Sequence, residues 1–162
     1  MTAILPLAIP SGLPPGAFST TQLLSALRSV SNLTLFGTLS GASAAVTGTA
    51  YTSVTGASQS FTKTQGSSLT NVLGLIIPSA FKATATNTVS YAISDGTTDW
   101  TAVTFTYNTT AEHMQTPGGV LMTGLAAAAY TMTLRAKMAT ASGTLTINTD
   151  DTVSMLLMEV PV

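Results

Sequence analysis

From residue 69 onward, apolar and polar positions alternate with a period of two. Val89, Tyr91 and Ile93 alternate with Thr88, Ser90 and Ala92. Val103, Phe105 and Tyr107 alternate with Ala102, Thr104 and Thr106. Tyr130, Met132, Leu134 and Ala136 alternate with Thr131, Thr133, Arg135 and Lys137, and Leu145 and Ile147 with Thr144, Thr146 and Asn148. Successive side chains of a strand point to opposite faces, so this spacing predicts antiparallel strands with one face buried and one wet. Turn-forming residues fall between them: Asp95-Gly96, Pro117-Gly118-Gly119, Ser142-Gly143 and Asn148-Thr149-Asp150-Asp151. Two segments break the alternation. Leu73, Gly74, Leu75, Ile76 and Ile77 are apolar throughout, and so are Val153, Met155, Leu156, Leu157, Met158 and Val160. A strand apolar on both faces is covered on both faces. In a two-sheet sandwich one face meets the other sheet. The second is covered by a neighbouring chain, or by this chain's own N-terminal helix or arm.

The first third of the chain reads differently. Residues 1–17 hold four prolines, Pro6, Pro10, Pro14 and Pro15, which block helix and central strand. The interleaved Ile4, Leu5, Leu7, Ile9 and Leu13 are too apolar for a solvated linker. The expectation is an extended arm that docks these five residues on another surface. Residues 18–32 hold the one helix candidate, over 19–30. Ser19 or Thr20 can cap it, and Leu23, Leu24, Leu27 and Val30 share a face. About three turns of helix are not stable alone, so it must pack on something. Residues 37–68 are low in complexity and contain no true repeat. Short strands are expected near residues 34–39 and 46–54, where Thr and Val favour a pleated surface. The organisation expected is an arm over 1–17, a helix over 18–32 and a β-sandwich over 33–162, with its clearest strands in 69–162.

Composition narrows the function. Only five residues are basic and six acidic, against 45% hydrophobic, so the chain lacks the composition of a disordered protein. A net charge of −1 argues against nucleic acid and against electrostatic recruitment to a membrane. Thr, Ser and Ala supply 70 of 162 residues. A surface this poor in charge suits permanent contact with copies of itself or with a larger assembly. The absence of Cys removes disulfides and thiolate metal sites. The N-terminus has no basic start before its apolar residues, so a soluble, non-secreted protein is expected.

Chemistry-bearing residues are few. His113 is the single histidine. A Ser-His-Asp relay would have to use it, with Glu112, Asp95 or Asp99 to orient it. No Gly-x-Ser-x-Gly elbow supplies a serine, so no enzyme and no catalytic residue is expected. Asp95 with Asp99, and Asp150 with Asp151, are read as turn residues; no metal and no cofactor is assigned. Trp100, beside Asp99 at a strand start, is the one aromatic residue placed to meet a glycan near a loop rim.

The C-terminal strands carry a resemblance. Tyr130, Leu134 and Ala136, the Ser142-Gly143-Thr144 hairpin and the final Glu159-Val160 resemble the closing strands of jelly-roll heads on bacteriophage fibre, spike and capsid-decoration proteins. The pattern is shared with tumour-necrosis-factor-like and C1q-like trimers. The resemblance implies a homotrimeric jelly roll in a virion assembled in the host cytoplasm, with an N-terminal segment bound to other capsid or tail proteins. In that arrangement Leu23, Leu24 and Leu27 lock the base, and Met155, Leu157 and Met158 pack near the trimer axis. The alternative expectation is a carbohydrate-binding module for a host surface glycan.

Overall fold

A computed structural model describes residues 44–82, 87–109, 112–148 and 151–162. They form ten strands: β1 (Ala44–Val46), β2 (Thr52–Lys63), β3 (Thr70–Lys82), β4 (Asn87–Ser94), β5 (Asp99–Tyr107), β6 (His113–Gln115), β7 (Gly118–Met122), β8 (Ala128–Met138), β9 (Leu145–Ile147) and β10 (Val153–Pro161). The arm expected over 1–17, the helix over 18–32 and the strand over 34–39 lie outside the described residues.

The strands make two antiparallel sheets, an all-β sandwich. In the first, β3 is central; β10 and β9 follow along one edge, β7 and β6 along the other, and β1 pairs with β9. The second runs β2-β8-β4-β5. β6 and β7 continue one register on β3, with Phe81 opposite His113 and Val72 opposite Met122. Between them Thr116 still donates its N–H to Pro78 at 2.9 Å. Pro117 then interrupts the ladder because it has no N–H to give. β9 and β10 form a second broken strand. Phe81 faces Thr146 and Pro78 faces Val153, so three steps along β3 match seven along the partner, and the extra residues bulge between β9 and β10. With each broken strand counted once, the pairs nest: β1 with β9, β2 with β8, β3 with β6 and β7, and β4 with β5. A long hairpin rolled into two layers in this way is a jelly roll.

The expected alternation sets the core. Val89, Tyr91 and Ile93 of β4 and Met132, Leu134, Ala136 and Met138 of β8 are buried against Val72, Ile76, Met122, Leu145, Ile147 and Val153 of the first sheet. A Cβ at Gly74 would overlap Ile93 Cδ1 of the other sheet. The strand expected over 46–54 is two strands. The chain bends at residues 48–50 and passes from the first sheet to the second. β2 then runs on to Lys63, and Gly56, at φ 80°, lies in its bulge between Ser53 and Ser58.

One end of the sandwich is closed by a buried ion pair. Lys63 Nζ lies 3.6 Å from Glu159 Oε1, and neither side chain is exposed. Lys63 also donates to Thr70 Oγ1 at 2.7 Å and to the carbonyls of Gln65 and Gly66. Glu159 accepts from the N–H groups of Thr64 at 3.0 Å and Gln65 at 2.9 Å, and from the hydroxyls of Thr64 and Thr70. Burial alone would raise the Glu159 pKa. The hydrogen bonds from Thr70, Thr64 and Gln65 outweigh it and hold the carboxyl at about 2.

Candidate functional site

The two outer faces of the sandwich have opposite chemistry. The outer face of the β2-β8-β4-β5 sheet is laced with hydroxyls. Ser58 and Thr133 meet at 2.9 Å, Thr88 and Thr106 at 2.8 Å, and Ser90 and Thr104 at 3.0 Å. These are cross-strand pairs: the ladder places Ser58, Thr88 and Ser90 directly opposite their partners. Farther along, Arg135 Nη1 holds both carboxylate oxygens of Asp99, at 2.8 and 2.9 Å, and its Nη2 donates to the Tyr51 carbonyl at 2.7 Å. Lys137 Nζ lies 4.4 Å above the Tyr51 ring. These contacts tie the strands of this face to one another.

The outer face of the other sheet is apolar. β3 turns Leu73, Leu75 and Ile77 outward, with Leu75 and Ile77 40% and 43% exposed. The ladder sets Leu75 beside Leu156, Leu73 between Met158 and Leu121, and Val160 one pair farther along. Leu121 is 49% exposed. Gly119, opposite Leu75 on β7, adds no side chain of its own. Leu75, Ile77, Ser154, Met155 and Leu156 line a shallow depression of about 230 Å³. Nine residues of β3 by three strands give a face of roughly 30 by 14 Å, or about 400 Å². That is the order of the largest apolar patch on a typical monomer, and such patches often mark contact surfaces.

The residues expected near the trimer axis separate here. Met158 points outward into the apolar face. Met155 and Leu157 do not: both are wholly buried between the sheets. The correction follows from the period of the strand, since residues 153, 155, 157 and 159 all turn inward. The outward positions of β10 are Leu156, Met158 and Val160. The docking residues Ile4, Leu5, Leu7, Ile9 and Leu13, and the helix residues Leu23, Leu24 and Leu27, lie outside the described residues.

The polar candidates resolve into structural contacts. Asp95 Oδ1 accepts from the N–H groups of Thr97 at 2.9 Å and Thr98 at 2.7 Å, so it builds the β4–β5 turn. Asp99 is engaged by Arg135, which leaves the two acids with separate partners. Trp100 packs partly buried against the core from the edge strand β5. Asp150 lies outside the described residues. Among the described residues, no group of three or more His, Cys, Asp or Glu is placed to hold a metal ion.

His113 finds a partner that the sequence reading did not offer. Its Nδ1 lies 2.7 Å from Oδ1 of the buried Asp151. Ser79 donates its hydroxyl to the same Oδ1 at 2.6 Å, and Asp151 Oδ2 accepts the Asn148 N–H at 3.1 Å. In a nucleophilic relay the serine gives its proton to the imidazole. Here the serine hydroxyl donates its hydrogen bond to the acid instead, and the cluster ties β3, β6 and the β9–β10 bulge together. Below it, Tyr91 and Tyr107 share a buried hydroxyl contact at 2.8 Å. Burial pushes both phenols above their ordinary pKa.

In comparisons with known proteins, the chain matches no family model and no curated protein. Among the described residues, no helix is long and apolar enough to cross a membrane.

Proposed function

We propose that this chain is a structural protein of a bacteriophage virion: a homotrimeric capsid-decoration, head-fibre or tail-fibre component that attaches to the particle through residues 1–17. The resemblance of the closing strands supplies the virion setting. Self-assembly rests on one observation, the apolar outer face of β10, β3 and β7 opposite a face laced with hydroxyls. Burying a leucine-sized side chain is worth about 1.5–3 kcal/mol. Covering Leu73, Leu75, Ile77, Leu121, Leu156, Met158 and Val160 is therefore the largest stabilisation this surface can gain.

The test is the mass in solution, by light scattering on a sizing column. The expected value is three times 16.5 kDa. A monomer at micromolar concentration overturns the self-assembly reading. Deletion of residues 1–17 should then leave a folded trimer that no longer joins particles. Incorporation that survives the deletion removes the arm from the proposal.

A further inference from the structure

We infer that the hydroxyl-laced face holds a binding site for an acidic saccharide, centred on the Lys137 ammonium and the hydroxyls beside it. Along β2, β8, β4 and β5 the charged side chains that face outward are Asp99, Arg135 and Lys137. Arg135 and Asp99 neutralise each other through their paired hydrogen bonds. Lys137 has no carboxylate partner among the described residues, and its Nζ rests 4.4 Å from the centroid of the Tyr51 ring. The face therefore carries one uncompensated positive charge, on a chain whose net charge is −1.

That charge is held in place. Arg135 Nη2 donates to the Tyr51 carbonyl at 2.7 Å, and the Tyr51 hydroxyl meets Thr101 Oγ1 at 2.6 Å. Arg135 and Thr101 both stand opposite Ala92. Tied at its carbonyl and at its hydroxyl, Tyr51 lays its ring over Ala92. This is why Ala92 is wholly buried although Arg135 and Thr101, on either side of it in the row, reach solvent. A ring fixed at two points fixes the ammonium that rests on it, so the cation needs little ordering when an anion arrives.

The surroundings suit a sugar. Ser90 of β4 stands opposite Lys137, and Thr104 of β5 stands opposite Ser90. Their hydroxyls meet at 3.0 Å. Such a pair uses one of its two protons internally and keeps a donor and lone pairs for a ligand. Thr88 with Thr106 repeats the arrangement in the next outward row. Sugar hydroxyls donate and accept in the same mixed way, while a carboxylate or sulfate on the sugar takes the ammonium. A protein partner is disfavoured, because among the described residues these four strands hold none of the exposed large hydrophobic side chains that interface centres use. Nucleic acid needs several cations rather than one. Trp100 packs against the core from β5 and is no part of the site. The inference stands without the self-assembly reading, which uses the opposite outer face.

The test titrates the full chain by calorimetry at low salt with hexagalacturonate, a sialic acid tetramer and a sulfated dextran oligomer. Each is run beside its uncharged counterpart: the methyl esters of the first two, and plain dextran. The expected result is that at least one acidic probe binds and its uncharged counterpart does not. Binding of a carboxylate probe alone identifies carboxylate as the recognised group, and binding of the dextran sulfate alone identifies sulfate. Lys137→Met keeps the side-chain stem on Tyr51 but removes the charge, and should weaken binding roughly tenfold, with Lys137→Arg close to the native chain. Lys82→Met removes the same charge from the other sheet and should bind like the native chain. Raising salt from about 0.05 to 0.5 M should weaken binding further. A cooperative melt shows that each variant is folded, and Lys137→Gln replaces the Met variant if that one is not. Three acidic probes that fail to bind, uncharged counterparts that bind as tightly, or a folded Lys137→Met that binds like the native chain each overturn the inference.

Discussion

At the scale of single residues, two positions carry more than their sequence neighbours show. Gly74 lies in an apolar run where valine or isoleucine would favour the strand. Its lack of a side chain is what lets Ile93 reach across from the other sheet. Gly74→Val is expected to cost about 2 kcal/mol through overpacking, read as a lower urea midpoint with an unchanged slope. Glu159 is the second. Its folded pKa of about 2 lies below the ordinary 4.5, so its contribution is fully present above pH 4.5 and drains away as pH falls toward 2. The shift corresponds to about 3 kcal/mol. Melting temperature against pH should fall across that window in the native chain, and Glu159→Gln should flatten this part of the fall. At neutral pH Glu159→Gln should cost about 3–5 kcal/mol, because it strands the buried Lys63 charge. The double change Lys63→Met with Glu159→Leu should recover only part of that loss, because the Thr64 and Gln65 N–H groups are left without their acceptor.

At the scale of elements, the strands that alternate were legible and the strands made of small polar residues were not. β8 and β9 keep the apolar-in, polar-out pattern, and β4 keeps it from Thr88 to Tyr91, after which Ala92 and Ser94 are buried as well. The apolar residues on the inward side of β2 are Val54, Ala57 and Phe61, with Lys63 buried beyond them, and a bulge at Gly56 shifts their spacing. Periodicity therefore gives no clean signal there. The two-faced apolar character of β3 and β10 was legible, and it located the candidate site. Which of their residues face outward was not, because a strand apolar at every position carries no parity. The ladder supplies it, and it moves Met155 and Leu157 from the contact surface into the core. The partnership of His113 with Asp151 was hidden for another reason. It joins residues 38 apart in sequence across a break between β9 and β10, and turn-rich spacing does not reveal where such a break points.

At the scale of the whole molecule, the two outer faces make separable predictions. Leu75→Lys with Ile77→Lys places two charges on the apolar face, at positions already open to solvent in the single chain. The solution mass should drop to 16.5 kDa while the thermal melt stays cooperative. The same double change at Thr104 and Thr106 on the hydroxyl face should leave the mass unaltered. The nested pairing of the strands has a further consequence, for the order of events during synthesis. The innermost pair, β4 with β5, closes across a short turn, whereas β1 waits for β9, about a hundred residues later in the chain. Contacts so distant in sequence form slowly. At 5–20 residues per second, β1 leaves the ribosome roughly 5–20 s before the strand that receives it exists. Among the described strands the first made, β1, is housed only once β9 has been translated.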